Sequence, residues 1–174
     1  MSEFETVWRR HYGDTPALSW AMRDREAGDW LRFHALPRSK RYPDSPEEEQ
    51  IILERANTLA RAVVGEGATC WLAQAGDWEP PFDANAQIAG RFHYDEFDWL
   101  LFVSRLTFKS GVFDTLLLAV AKDTALRSLW LNEDTGDVFA PYDGGFDLFL
   151  KSPSEVEFLK ARHASWLSPR CDGL

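Results

Sequence analysis

The chain of 174 residues carries 28 Asp and Glu against 19 Lys and Arg, a formal charge of −9, which excludes a general nucleic-acid binder because such a protein needs a basic face against phosphates. Hydrophobic residues at 45% exclude disorder over the whole length. A chain of this size buries about 70% of its unfolded surface and suits one domain without disulfide or metal staples.

Ser2-Glu3-Phe4-Glu5 has the form of a capping box, and Phe4, Val7, Trp8 and His11 recur at helical spacing before Gly13. This predicts a helix over residues 2–12. Trp20, Met22, Trp30, Phe33 and Leu36 lie in two strand-like stretches around the polar segment Arg23 to Asp29, where Gly28 suits a turn, so a hairpin is expected. Ser45 as N-cap, Pro46 at the first position, Glu48 closing a capping box and the run Glu47-Glu48-Glu49 at the positive end of the dipole predict a helix over 46–64. Its buried stripe is Ile52, Ala56, Leu59, Ala60 and Val63.

Thr69 to Ala75 reads as a strand, and Gly76 to Asn85, with Pro80 and Pro81, as a loop presenting Trp78 and Phe82. Trp99 to Phe108 reads as a strand, followed by a helix over 111–121 capped by Ser110, with Val112, Phe113, Leu116, Leu117 and Val120 inward. Leu126 to Leu131, Val138 to Ala140 and Phe146 to Leu150 form a three-stranded meander, because the gaps are too short for crossover helices. Ser152-Pro153-Ser154-Glu155 then caps a helix over 153–167 that Ser168-Pro169 stops. The fold class is α+β: a mainly antiparallel sheet of five to seven strands with about four helices, in a single domain over 1–174.

The N-terminus carries acids where a signal peptide has a basic region, and no apolar run is long enough for a membrane span. Cys70 and Cys171 form no Cys-x-x-Cys pair. The expectation is a cytoplasmic protein without a membrane partner. No Gly-x-Ser-x-Gly, His-Glu-x-x-His, Walker or Gly-x-Gly-x-x-Gly signature is present. His11, His34, His93 and His163 are scattered, so neither a metal site nor a cofactor is expected, and the balance leans away from an enzyme.

Two segments concentrate polar chemistry. Arg32 to Tyr42 places Arg32, Arg38, Lys40 and Arg41 beside His34 and Tyr42, in a first third (residues 1–64) that holds 10 basic and 11 acidic residues. Residues 65–174 hold 9 and 17. The cations suit a phosphate or carboxylate, or else the protein's own Glu47 to Glu49. In the second segment, Ala140 to Leu150, Asp143-Gly144 suits a primed hairpin turn. Asp147 stands inside an apolar strand, where a carboxylate needs a partner that an Arg of the first segment can supply.

Trp30-Leu31-Arg32-Phe33-His34-Ala35-Leu36-Pro37-Arg38-Ser39-Lys40-Arg41-Tyr42, Glu54-Arg55-Ala56-Asn57, Ala140-Pro141-Tyr142-Asp143-Gly144-Gly145-Phe146-Asp147, Trp166-Leu167-Ser168 and Gly173-Leu174 together resemble a family of small bacterial proteins of unknown function. A broader related set has an Arg-Phe-Glu-Leu strand early and a Tyr-Asp-Asp-Arg-Gly-Leu-Asp hairpin late. Here Asp143-Gly144-Gly145 replaces the Asp-Asp-Arg-Gly stretch, so no charge role of that Arg carries over. The resemblance implies a bacterial origin and a shared fold, and no activity.

Two readings of function follow. In the first, a non-enzymatic protein of immunity-like or regulatory kind steers toward a basic protein partner through its acidic later region, with exposed aromatics as anchors. In the second, Arg32, His34, Arg38, Lys40, Arg41 and Tyr42 grip a small anionic ligand, with Asp143 or Asp147 as an acid or base. The first predicts an exposed apolar patch rimmed by acids after residue 64. The second requires the basic segment and the Asp-Gly-Gly hairpin to meet at one pocket.

Overall fold

A computed structural model describes residues 2–24 and 30–168. The expected turn at Gly28, the stop at Pro169, Cys171 and the Gly173-Leu174 end of the family motif lie outside the described residues. In chain order the elements are α1 (Glu3–Tyr12), α2 (Ser19–Arg23), β1 (Trp30–His34), α3 (Pro46–Val64), β2 (Thr69–Ala75), β3 (Gln87–Tyr94), β4 (Phe97–Thr107), α4 (Asp114–Ala121), β5 (Arg127–Asn132), β6 (Val138–Tyr142), β7 (Gly145–Phe149) and α5 (Pro153–Arg162). The strands form one sheet in the order β1-β7-β6-β5-β2-β4-β3, antiparallel at every neighbour.

Strand alternation divides the core in two. On one face Phe33, Leu72, Trp130, Phe139 and Leu148 pack with the stripes of α3, α4 and α5. On the other, Trp71, Leu129, Leu131 and Phe149 pack with Phe4, Val7 and Trp8 of α1 and with Leu18 and Met22 at α2. The β1 edge is covered where Phe33 bridges Leu167, beyond α5. The outer edge of β3 has no strand partner among the described residues.

Local chemistry explains most boundaries. The α1 capping box is complete: Glu5 N–H donates to Ser2 Oγ at 3.2 Å and Ser2 N–H to Glu5 Oε2 at 2.6 Å. Ser45 Oγ accepts from the Glu48 N–H, but the Glu48 carboxylate accepts from Asp44 N–H and from Lys40, so the α3 box is half made. The Ser152 box does not form. Its hydroxyl faces Ser154 Oγ at 2.8 Å, and α5 ends at Arg162, with a separate 3-10 turn over Ala164–Trp166.

Three expectations need correction. The hairpin around Trp20 is absent: Ser19–Arg23 is helical, because Trp20 serves the core by packing on Trp99 rather than by entering the sheet. Ser110 does not cap α4, which begins at Asp114. Its hydroxyl donates instead to Glu66 at 2.6 Å, and Val112 is exposed. An extra strand, β3, follows the loop and pairs with β4 through a two-residue turn in which Asp95 and Glu96 both take positive φ, 55° and 66°.

Candidate functional site

The β5–β6 ladder is confined to two pairs, Trp130 with Phe139 and Leu131 with Val138. Beyond them β6 runs into Pro141, which has no N–H to extend a ladder, while β7 stays paired with β6 as far as Tyr142 and Gly145. The start of β5 and the end of β6 therefore part, and a pocket of about 370 Å³ opens between them under α2. Arg127 to Leu129 form one wall and Pro141 to Asp143 the other, with Trp20 and Arg23 above and Phe97 and Trp99 at the side.

Its floor is a charged centre. Asp147 is 0% exposed and faces Arg32 across the β1–β7 pair. Arg32 Nε donates to Oδ1 at 2.8 Å and Nη2 to Oδ2 at 3.1 Å, and the Trp30 indole N–H adds a third bond to Oδ1 at 3.0 Å. The Arg32 guanidinium is stacked against Tyr142 at 4.5 Å and Trp30 at 5.3 Å. Burial works against its charge, but the bonds to Asp147 prevail and raise its pKa. Arg23 brings a second cation from α2, its Nε 3.8 Å from Asp147 Oδ2. That Nε is buried and has no hydrogen-bond acceptor among the described residues. Burial pushes the Tyr142 phenol up to about 12, so it stands as a neutral hydroxyl.

The hairpin between β6 and β7 ties the basic segment to this centre. Only Gly144 takes a positive φ, 141°, so the turn lacks the paired positive angles of the expected primed type. A Cβ at Gly145 would strike the Phe33 carbonyl and the Tyr142 hydroxyl, so this position admits β1 and the folded-back ring only as glycine. Asp143 Oδ2 accepts from Arg41 Nε and from the Tyr42 hydroxyl, each at 2.7 Å.

Of the residues singled out from the sequence, Arg32, Asp143 and Asp147 line the pocket. His34, Arg38, Lys40, Arg41 and Tyr42 do not. Lys40 pairs with Glu48 at 2.6 Å and Asp44 at 2.7 Å. His34 Nε2 meets Ser39 Oγ at 3.2 Å, and burial lowers the imidazole pKa. Arg38, at φ 57°, has no hydrogen bond or ion pair with a described residue. Sequence reasoning missed Arg23, Tyr142, Trp20 and Arg127. Tyr142 sits inside a motif already noted, while Arg23 and Trp20 were obscured by the expectation of a strand.

A second feature adjoins the pocket mouth. Trp99 is ringed by Trp20 at 5.4 Å, Trp78 at 6.1 Å and Phe97 at 6.3 Å between centroids. Trp78 and Phe97 are 48% and 65% exposed, and the exposed acids Asp77, Glu79, Asp95, Glu96 and Asp98 flank them in the chain. Among the described residues no group of three or more His, Cys, Asp or Glu is placed to hold a metal ion, and no helix is long and apolar enough to cross a membrane.

Residues 18–171 match the family model described as Domain of unknown function (DUF3885). The chain belongs to this family. The match takes in the pocket lining except Ala17, the charged floor and the aromatic cluster, and leaves out only α1 among the helices. No curated protein and no solved structure matches the chain.

Proposed function

We propose that this DUF3885 protein is a non-enzymatic, cytoplasmic bacterial binding protein whose docking surface is the aromatic cluster on Trp99, and that its partner is a basic protein. The observation that supports this most directly is the joint exposure of Trp78 and Phe97 beside the exposed carboxylates Asp77, Glu79, Asp95 and Glu96, their near neighbours in the chain. Large aromatic side chains left in water are costly, and grouped on a rigid strand they serve as anchors for a partner. Phe97 and Trp99 stand on β4, an eleven-residue strand, and Tyr94 of β3 is tied to Asp24 by a 2.9 Å hydroxyl bond. The acids attract a basic surface and orient its approach, an effect that weakens as salt screens it.

The experiment is a selection of displayed peptides on the purified protein. Recovered sequences should combine Lys or Arg with an apolar or aromatic anchor, bind less tightly as ionic strength rises, and be lost on Trp78→Ser/Phe97→Ser. Phe97 is largely exposed and Trp78 about half exposed, so the variant should remain folded, with only a modest fall in melting temperature. Recovery of acidic sequences, or of basic sequences indifferent to the double substitution, overturns the reading.

A further inference from the structure

We propose that the cleft where β5 and β6 part is a binding site for a flat organic anion, a small ring bearing a carboxylate or a phosphate. The cleft shares Trp20, Phe97 and Trp99 with the aromatic patch, but its donors lie on other residues and the inference does not rest on the docking reading. Asp147 is satisfied by Arg32 and Trp30, and Asp143 by Arg41 and Tyr42, which approach it from outside the cleft. Asp95 lies on the outer turn, exposed at the rim.

What remains unmatched inside is a set of donors. Arg23 Nε is buried without an acceptor among the described residues, and the partly buried Tyr142 phenol beside it keeps its proton and can donate. Arg127 stands at the wall, partly exposed, paired with Asp123 at 2.6 Å and lying over the Trp78 ring at 5.8 Å. Buried donors without acceptors are rare in folded proteins, because each forfeits the hydrogen bond it makes in water. A ligand that supplies acceptor oxygens satisfies them together, and a charged one also answers the surplus of guanidinium over carboxylate beside Arg23.

The shape of the cleft narrows the class. Trp20, Phe97, Trp99 and Leu129 offer flat apolar walls, which suit a ring better than a flexible chain. The volume of about 370 Å³ falls within the range of small-molecule sites, roughly 300–1,000 Å³. Asp147 has a supporting role: it fixes Arg32, and Arg32 in turn presents its face to Tyr142. These are positioning residues for the donors above them.

The test is calorimetric titration of the full chain with two anion and neutral pairs, indole-3-carboxylate with indole-3-carboxamide and adenosine monophosphate with adenosine. At least one anion should bind with an affinity about tenfold or more above its neutral counterpart, the scale of a charge-assisted hydrogen bond. Which pair responds separates carboxylate from phosphate. Arg23→Gln, in protein that remains folded by circular dichroism, should remove most of that preference, and Tyr142→Phe should weaken binding less. The proposal is overturned if neither anion binds at millimolar concentration, if the neutral compounds bind equally, or if Arg23→Gln leaves the preference intact. Any of these outcomes leaves the peptide selection standing, since Arg23 takes no part in it.

Discussion

The two faces of the sheet are built from the same strands and do different work. Toward α3, α4 and α5 the packing is apolar. Several of its polar groups are bonded within it: Gln74 Nε2 donates to Ser128 Oγ at 3.1 Å, Asn132 to the Val64 carbonyl at 2.7 Å, and Arg55 to the His34 carbonyl at 2.9 Å while stacking on Trp166, whereas the neutral Trp130 indole N–H meets no acceptor among the described residues. Toward α1 and α2 the same β1 and β7 that place Phe33 and Leu148 in the dry core present Arg32 and Asp147. A single step along the strand separates the two environments. The lesson is that one face carries stability through neutral packing, and the other carries a charged centre that is stable only while its partners remain together.

Substitutions that treat the faces differently put this to the test. Arg32→Leu leaves Asp147 buried with the Trp30 indole and a cation at 3.8 Å, and should cost about 3–5 kcal/mol in urea melts. Arg32→Leu/Asp147→Leu should recover most of that loss, because it is the uncompensated carboxylate that destabilises. A single substitution that costs no more than the double would break the distinction between the faces.

Alkaline pH acts on the same centre. The folded Tyr142 phenol keeps its proton to about 12 against an ordinary value of 10.0, so the folded state binds the extra proton between these values. Its stabilising effect is complete below pH 10 and is lost as pH climbs toward 12, by roughly 3 kcal/mol. Burial pushes the Cys70 thiol on the opposite face up to about 12 from 9.0, so the decline begins near pH 9. Tyr142→Phe should make the decline shallower above pH 10 and leave its onset near pH 9 unchanged, which urea melts across the series would show.

On the dry face, Ile52→Val at the fully buried start of the α3 stripe should cost about 0.5–1.5 kcal/mol by chemical denaturation and leave anion binding unchanged. The smallest effect belongs to Arg41→Ala. Its side chain is well exposed beside Asp143, and exposed pairs contribute only about 0.2–1 kcal/mol, less at high salt. A larger loss would mean that Asp143 anchors the hairpin more strongly than its exposure suggests.

Where chemistry was local, the sequence was readable. Ser45-Pro46 and Gly65 bound α3 at both ends, and the apolar run with Ser2 and Glu5 sets α1. The carboxylate of Asp147 in an apolar strand demanded a cation, and the structure supplies Arg32. The hairpins misled in opposite ways. Asp143-Gly144 looks like a primed turn and has only one positive φ, whereas Asp95-Glu96 carries no glycine or asparagine and has two, which hid β3. Tertiary pairing with β4 over Gln87–Tyr94 holds that costly turn in place.

The sequence by itself determined the α+β class, the long helix, the late meander and the need of Asp147 for a partner, because caps, periodicity and the cost of a buried charge act within a few residues or on one side chain. Only the tertiary structure decided that β5 and β6 part, that Arg23 descends from α2 onto the charged floor, and that Trp20, Trp78 and Phe97 gather on Trp99. Those arrangements depend on strands and helices far apart in the chain, and on sheet curvature and packing that no local pattern encodes.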